Sequence, residues 1–470
     1  MSKYAENQFI ELFLSQKNNQ YQIANTTYKQ RIKKLEALRV AITVTYKSAI
    51  RQALYDDFKK PFIETDLTEI YPVVGDIKFA KKHLKDWMRR QKVETPLALI
   101  GASSWYIHEP KGVCLIISPW NFPLNLTFGP LVSAIAAGNT VIIKPSEMTP
   151  HISKVMATII AELFKTNEVA LVEGEVEVSQ ALLKLPFNHI FFTGSPQVGK
   201  VVMKAAAEHL TSVTLELGGK SPTIIDRTAN LKTAAKKIAW GKFVNNGQTC
   251  IAPDYILIDE TVKTEFIQEL KIQLNSFYTK NPEASQALSR VVNERHFKRL
   301  ESYLEAAKAN KATIEIGGEI TAETHFIAPT VISELSEDSA LLQEEIFGPI
   351  LPIKTYKHID DALAYINEKP KPLALYIYSQ HKKNRNYILK NTRAGSTAIN
   401  NNVIQYANHY LPFGGSNNSG IGKSHGVFGF KEFSNSRSVI QQHTFGAIEF
   451  LFPPYTNFKQ KLVDLTIKWF

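Results

Sequence analysis

Residues 112–118, with the sequence GVCLIIS, form an apolar run of strand length that a helical pattern follows. The runs TVIIK at 140–144 and HIFFT at 189–193 repeat this arrangement, and a further strand is expected at 212–217. The intervening helices are predicted at residues 126–137, 152–164 and 200–209. Strands that are apolar throughout and alternate with helices indicate a parallel sheet covered on both faces. A doubly wound sheet of this kind is typical of dinucleotide-binding domains.

A second alternating series follows along the chain. Helices are predicted at 231–242, 262–277, 292–307 and 359–367, and strands at 255–258, 350–356, 373–378 and 395–400. Before the first series, residues 28–60 and 76–92 show helical spacing, and 102–108 alternate as in a projecting hairpin.

These patterns predict an α/β fold in three parts. The first is a Rossmann-like cofactor domain formed by residues 1–94 and 112–217. The second is another α/β domain at 218–410. The third is a small bridging hairpin at 95–111, completed by part of 411–470.

Composition narrows the class of protein. The chain has 470 residues, which favours two or three domains, and its 44% hydrophobic and 21% charged residues are typical of a globular protein. Two cysteines exclude a disulfide framework and favour a reducing compartment, so we expect a cytoplasmic protein without signal peptide or membrane span. The net charge of +11 is dispersed, without an arginine-rich arm, so nucleic acid is not an expected partner.

One cysteine lies in a polar loop. Cys250 ends the stretch NNGQTC at 245–250, whereas Cys114 lies inside the apolar run at 112–118 and is expected to be inert. A free cysteine is most often a small buried hydrophobic residue. The polar, backbone-permissive neighbours of Cys250 favour a nucleophile instead, which would need a local device to raise its thiolate fraction.

A carboxylate and an amide are further catalytic candidates. Glu216 precedes two glycines in LELGGK at 215–220, where partial desolvation would raise its pKa toward that of a general base. The alternative is an ordinary solvated glutamate. Asn121, within PWNFP at 119–123, could cap a turn or donate a hydrogen bond to an oxyanion. Spacing alone leaves both choices open.

Three stretches could hold a dinucleotide. The loop FTGSPQVG at 192–199 joins a strand to a helix, which would place a pyrophosphate at a helix N-terminus, although it is not GxGxxG. Lys144 and Glu147 at the end of another strand could bind an adenosine ribose. Glu345 and Phe347, in EIFGP at 345–349, could hold the nicotinamide ribose if they face the cleft. Each could also be a solvated charge or a core residue.

No metal site is predicted, because the sequence contains neither HExxH nor a CxxC pair. A GxSxG elbow is also absent, which argues against a serine hydrolase.

In combination, and in this order, these motifs resemble the aldehyde dehydrogenase superfamily over about residues 31–454. The versions NGQTCIAPDY at 246–255 and LPFGGSNNSG at 411–420 are similar to the class 3 branch, which includes fatty and aromatic aldehyde dehydrogenases. The resemblance implies that residues 218–410 form the catalytic domain and that the hairpin builds a homodimer.

The resemblance also implies roles for the candidates. Cys250 would attack the aldehyde, Asn121 would hold the oxyanion, and Glu216 would activate the water that hydrolyses the thioester. NAD is the expected cofactor, with NADP usable. The implied cofactor-binding residues are Ile117, Trp120, Lys144, Glu147, Gly194, Ser195, Val198, Gly199, Leu217, Gly218, Glu345 and Phe347.

Two alternatives stay open at this point. A CoA-acylating or other specialised semialdehyde dehydrogenase would use the same cysteine, and a silent structural protein of this fold would need none of these residues. The retention of Glu216, Cys250 and Asn121 favours hydrolytic oxidation of an aldehyde, expected to be medium- or long-chain aliphatic or aromatic.

The C-terminus is predicted to be a short amphipathic helix. Phe458, Leu462, Leu465 and Trp469 recur on one face, with lysines beside them. Such a helix could pack on protein, cover a substrate funnel or make a weak peripheral membrane contact.

Overall fold

The computed structural model of the protein describes residues 7–443 and 446–469. Residues 1–6, 444–445 and 470, which fall inside the predicted domain ranges, lie outside the described residues. Two large sheets, each wrapped by helices, dominate the fold, and the α/β class predicted from the sequence is confirmed.

The first sheet has six strands and a Rossmann-like order. From the strand Val113–Ile117, the chain adds strands on one side and then returns to add strands on the other. All neighbouring strands are parallel except one pair: the two-residue strand Gly420–Ile421 is antiparallel to Ser212–Glu216. In spatial order the strands are Gly420–Ile421, Ser212–Glu216, His189–Thr193, Val113–Ile117, Thr140–Lys144 and Val169–Leu171. The helices between them are Asn125–Ala137, Pro150–Leu163, Val176–Leu183 and Pro196–Ala207.

The second sheet has seven strands, parallel except for one edge strand. In spatial order they are Thr313–Ile316, Thr330–Ser333, Ile350–Tyr356, Tyr255–Asp259, Pro222–Ile225, Ala374–Tyr378 and Ser396–Ile399. The main helices of this part are Leu231–Phe243, Lys263–Tyr278, Glu294–Ala309, Ile359–Asn367 and Lys382–Asn391. Buried aliphatic and aromatic residues fill the space between helices and sheet, as the apolar strands predicted.

Helices before the first sheet pack on both of its faces, with Ile10–Ala24 on the face that Leu115 points to and most of the others on the opposite face. They are Ile10–Ala24, Tyr28–Val40, Lys47–Phe58, Phe62–Thr65 and Tyr71–Trp87, with single π-turns at Ala41–Thr45 and Asp66–Ile70. The helical spacing at 28–60 is confirmed, but the helix expected at 76–92 ends at Trp87, because residues 91–93 join a sheet. The predicted helix at 200–209 begins earlier, at Pro196, where proline suits the first turn.

A small third sheet projects beside the first. Residues 102–108 were expected to form a hairpin, and they instead lie in one long strand, Ala102–Pro110. It pairs antiparallel with Gln91–Val93 and with Ser434–Gln442. The shorter elements of the fold are the two-stranded pair Ile320–Thr321 and Phe326–Ile327, the helices Ala340–Gln343 and Gly426–Glu432, and the 3₁₀ turns Leu97–Leu99, Val244–Gly247, Glu260–Val262, Pro282–Ala284, Ala322–Thr324, Ile404–Ala407 and Ala447–Leu451.

The predicted C-terminal helix is present at Asn457–Trp469, and none of its residues is buried. Phe458 is 61% exposed and Trp469 is 70% exposed. No helix within the described part of the chain is long and apolar enough to cross a membrane.

Candidate active site

A cleft of about 1150 Å³ lies between the two large sheets. Its walls carry most of the predicted site residues: Trp120, Asn121, Gly194, Ser195, Glu216, Leu217, Gly218, Cys250, Glu345 and Phe347. The site residues that belong to the first sheet lie at the carboxyl ends of its parallel strands, where such folds bind ligands. Five predicted residues do not line this cleft, namely Ile117, Lys144, Glu147, Val198 and Gly199.

A second, much narrower cavity of about 30 Å³ also reaches Cys250 and Glu216. Its walls are mainly apolar and include Phe191, Leu373 and Phe413. The thiol and the carboxylate therefore lie where the larger cleft meets a narrow apolar pocket.

The loop that carries Cys250 has an unusual backbone. Asn245, Asn246 and Gly247 all have left-handed φ values, of 53°, 55° and 73°. A Cβ at Gly247 would lie 2.2 Å from the carbonyl oxygen of Gly348, so only glycine fits there. Gln248 anchors the loop, since its Oε1 accepts from the backbone N–H of Val292 at 3.0 Å.

Asn121 is held directly against this loop. Its side chain is 3% exposed, and its Nδ2 donates to the carbonyl oxygen of Gln248 at 3.1 Å. Asn245 returns the contact, donating from Nδ2 to the carbonyl oxygen of Asn121 at 2.8 Å. The amide predicted as an oxyanion donor therefore belongs to the same packed unit as the cysteine.

The environment of Cys250 disfavours the thiolate. Burial, together with the negative charges of Glu345 and Glu216, raises the pKa of Cys250 to about 12, although backbone N–H groups of Cys250 and Ile251 act in the opposite direction. The sequence led us to expect a device that favours the thiolate, whereas burial and the neighbouring carboxylates act in the opposite direction.

Glu216 has the environment expected of a base. The residue is 6% exposed, and burial raises its pKa to about 8, against the opposing effects of the Ser424 hydroxyl and the Lys423 charge. A carboxyl group in this range exchanges its proton near neutral pH, which suits general acid–base work.

The remaining predicted groups fit a dinucleotide. Burial raises the pKa of Glu345 to about 7, and its Oε1, buried in the cleft, has no hydrogen-bond partner among the described residues. The helix Pro196–Ala207 starts at the cleft, and Ser195 caps it by accepting from the N–H of Val198. A dinucleotide can use both a helix N-terminus for its phosphates and an orphan carboxylate for a ribose hydroxyl.

At the neighbouring strand end, Lys144 Nζ donates to Glu147 Oε2 at 2.9 Å. Lys144 is buried, whereas the Glu147 side chain is one-third exposed. The pair is therefore formed at the strand end where the sequence predicted ribose binding.

Sequence reasoning missed several residues at the site. The ring of His296 lies 5.0 Å from that of Trp120, and burial with the nearby Arg299 and Arg295 charges lowers its pKa to about 4. Lys423 donates to the carbonyl oxygens of Gly414 and Gly415 and lies near Glu216. Lys423 follows the LPFGGSNNSG motif closely enough to have been suspected, whereas His296 lies in an ordinary amphipathic helix and gave no signal.

One cluster among the described residues could hold a cation, although no metal motif was found in the sequence. The ligand atoms of Asp76, His409 and His425 lie within 4.8 Å of one another. Within this cluster, His409 Nδ1 lies 3.0 Å from Asp76 Oδ1.

Comparison with known proteins agrees with this architecture. Residues 2–439 match the model of the aldehyde dehydrogenase family. The chain is 45% identical to the 4,4'-diaponeurosporen-aldehyde dehydrogenase of Staphylococcus aureus, over 91% of this chain and 92% of that protein. It is 39% identical to aldehyde dehydrogenase family 3 member H1 of Arabidopsis thaliana, over 94% of this chain and 91% of that one.

A solved structure extends the match to three dimensions. The substrate-bound state of Staphylococcus aureus AldH superposes with a TM-score of 0.94 at 42% identity, covering 97% of this chain and 99% of that one. The chain therefore belongs to the aldehyde dehydrogenase family, with class 3-like relatives, and is an oxidoreductase that converts aldehydes to carboxylic acids with NAD(P).

Proposed function

We propose that this enzyme oxidises apolar aldehydes through a thioester on Cys250 that Glu216 then hydrolyses. One observation carries the proposal: Cys250 and Glu216 line both the coenzyme-sized cleft and the apolar pocket. An aldehyde carbonyl where the apolar pocket opens on these side chains and a dinucleotide in the cleft would meet at Cys250 and Glu216.

In the first half of the reaction, the Cys250 thiol releases its proton to solvent, and its sulfur adds to the carbonyl carbon to form the anion of a thiohemiacetal. The Asn121 amide and the backbone N–H of Cys250 are the donors for its oxyanion. One N–H of the Asn121 amide donates to Gln248, which leaves its second N–H for the substrate oxygen. Loss of hydride from the carbon leaves a thioester.

The coenzyme has an identifiable set of holding groups. Glu345 and Phe347 suit the nicotinamide ribose, Gly194 to Gly199 suit the pyrophosphate, and the Lys144–Glu147 pair suits the adenosine ribose. When bound, oxidised NAD(P) supplies the hydride acceptor and a positive charge.

In the second half, Glu216 removes a proton from water, which attacks the thioester and releases the acid. Its pKa of about 8 lets it accept and release this proton near neutral pH. A CoA-acylating enzyme would be impaired by such a base, because hydrolysis would destroy its thioester. Product analysis decides between the two: free acid formed at one equivalent per NADH, without CoA or phosphate, supports the proposal.

The substrate class is inferred from the relative named for diaponeurosporen-aldehyde, and the apolar lining of the narrow cavity beside Cys250 agrees with an apolar group next to the carbonyl. We propose a medium- or long-chain aliphatic or an aromatic aldehyde. A reducing, cytoplasmic setting suits the unpaired thiol. The exposed apolar residues Val93, Leu97, Ile100 and Ile440 around the small sheet support a homodimer built on that sheet.

Coenzyme choice is predicted to favour NAD over NADP by about tenfold in kcat/KM, or ~1.4 kcal/mol. Burial acts to raise the pKa of Glu147, but hydrogen bonds from Lys144 and the backbone, with the Lys144 and Arg295 charges, hold it below its ordinary value. The carboxylate is thus charged and should repel a 2′-phosphate, while Lys144 keeps NADP usable. Glu147→Gln should reduce the ratio, and Glu177→Gln on an exposed helix should not. A wild-type preference for NADP would show that Glu147 does not meet the ribose.

Deleting residues 455–470 should lower activity on long-chain aldehydes more than on short ones, or remove binding to anionic liposomes. The helix Asn457–Trp469 presents Phe458, Leu465 and Trp469 to solvent with few lysines, so lipid attachment would be weak and reversible. Steady-state kinetics across chain lengths and liposome sedimentation provide the measurements. An unchanged chain-length profile, with no liposome binding by the intact enzyme, would contradict both roles.

A further inference from the structure

A lysine and two glutamates outside every recognised motif lie close behind the catalytic loops. Lys60 and Glu69 are completely buried, and Lys60 Nζ lies 2.7 Å from Glu69 Oε1. Glu64 lies between them in the short helix Phe62–Thr65, and the charges of both residues affect its pKa. We call Lys60, Glu64 and Glu69 the Lys60 brace.

One end of the brace holds the Cys250 loop. Glu64 Oε1 accepts the backbone N–H of Asn245 at 2.8 Å and the Ser289 hydroxyl at 3.3 Å. Asn245 opens the left-handed run at 245–247. A buried N–H left without an acceptor costs about 1–3 kcal/mol, so this contact stabilises a turn that is otherwise strained.

The other end holds the segment that carries Asn121. Glu69 Oε2 accepts the backbone N–H of Asn125 at 3.0 Å. Lys60 lies over the ring of Phe122, 4.2 Å from its centroid, next to Asn121 in the chain. The two carboxylates thus reach the two loops on which the oxyanion donors are mounted.

Stability alone is a weak reason for such a cluster. Burial raises the pKa of Glu64 to about 7 and also raises that of Glu69, which shows that desolvation opposes their charges. Well-packed apolar residues often stabilise a protein as well as buried ions do, whereas ions with directional hydrogen bonds fix geometry.

We infer that the Lys60 brace sets the position of Asn121 relative to Cys250, and that Glu64 is a positioning residue for the first half of the reaction. The inference rests on the proposed roles of Cys250 and Asn121. The expected effect on rate is large, because a displacement of about 1 Å at reacting groups can cost about 100-fold in rate.

The experiment compares Glu64→Ala, Glu64→Gln and Asp66→Asn. Glutamine keeps an acceptor oxygen for Asn245, and Asp66 belongs to the same segment but pairs with Arg51 and Lys47 near the surface. Stopped-flow measurement of the NADH burst gives a rate constant that does not depend on the fraction of folded enzyme. Alkylation of Cys250 by iodoacetamide reports the thiol separately, because Cys114 is fully buried.

Glu64→Ala is expected to slow the burst by about 100-fold with KM for NAD changed little, and to speed alkylation as the loop loosens. Glu64→Gln should stay within a few-fold of wild type, and Asp66→Asn should match it. If the alanine variant does not fold, Glu64→Asp, which retracts the carboxylate, takes its place. A folded Ala or Asp variant with wild-type burst and alkylation rates overturns the brace alone. Retained turnover in Cys250→Ala would instead overturn the proposed function. The two failures can be told apart, because the alkylation rates of the Glu64 variants test only the brace.

Discussion

Cys250→Ala is expected to abolish NADH formation from any aldehyde, to below one turnover per active site. Without the sulfur, no thiohemiacetal forms, and neither Asn121 nor Glu216 can replace a covalent nucleophile. Losses on the order of 10⁶ in kcat are known for removal of a nucleophile. The measurement is NADH absorbance over hours at high enzyme concentration, with coenzyme binding followed by fluorescence to show that the cleft is intact.

The matched control is Cys114→Ala. Cys114 is the other cysteine of the chain and is fully buried in the strand Val113–Ile117, where burial raises its pKa far above the ordinary range. That variant should retain turnover, with a modest loss of stability from the small cavity. Normal activity in Cys250→Ala would place the nucleophile elsewhere and refute the assignment.

The raised pKa of Cys250 bears on when the nucleophile forms. With Glu345 and Glu216 nearby and little solvent, the thiolate is disfavoured in the free enzyme. The oxidised coenzyme brings a positive charge into the same cleft, and opposite charge lowers a thiol pKa.

The apolar strands account for how much of the fold could be predicted. His189–Thr193, Thr140–Lys144 and Ile350–Tyr356 have the bounds expected from sequence, because strands buried on both faces are rich in apolar residues. The helix Ile359–Asn367 was also predicted in full, from its amphipathic spacing.

Short or interrupted elements were missed for identifiable reasons. Pro222–Ile225 begins with a proline, which normally argues against a central strand but is tolerated at a first residue. Thr330–Ser333 has only two strongly apolar residues. Both are nevertheless internal to the second sheet, since pairing with neighbours on each side overrides weak local preference.

At the candidate site, too, some residues could be predicted from sequence and others could not. Cys250, Glu216 and Asn121 could be suspected from residue type and from neighbouring glycine or polar residues. The contact of Glu64 with Asn245 joins residues 181 positions apart. No local pattern encodes such a pairing, and the sequence around Glu64 is an ordinary amphipathic stretch. The pKa values were also beyond prediction, because they depend on burial by distant segments.

Glu216→Gln is expected to let one rapid hydride transfer occur and then to stall as an acyl-enzyme. The first half of the reaction needs the Cys250 sulfur and the oxyanion donors, whereas only hydrolysis needs the base. Loss of a general base costs about 10²–10⁴ in rate, so steady-state kcat should fall by that factor while the NADH burst stays near one per site. Intact-protein mass spectrometry should show the mass of one acyl group on Cys250.

The pH dependence of the deacylation rate and of stability tests the role of Glu216 independently. Because the Glu216 pKa is raised from 4.5 to about 8, the wild-type deacylation rate should rise with pH through that value and level off above it, and the glutamine variant should lack this rise. Stability changes in the opposite direction to the rate, because it decreases as the pH rises. The folded protein keeps a proton between about pH 4.5 and about pH 8 that the unfolded chain releases, so wild type loses stability as pH increases through this window.

Glutamine carries no titrating proton, so Glu216→Gln should melt at a higher temperature than wild type at pH 8 to 9, with the difference shrinking toward pH 5. A variant that is slower in turnover yet more stable would mean that the buried carboxylate is kept for chemistry at a cost to folding. Asp226→Asn, which alters another buried acidic residue far from the cleft, is the control for both arms. If Glu216→Gln turns over near the wild-type rate and no adduct is found, the base that hydrolyses the thioester must be another group.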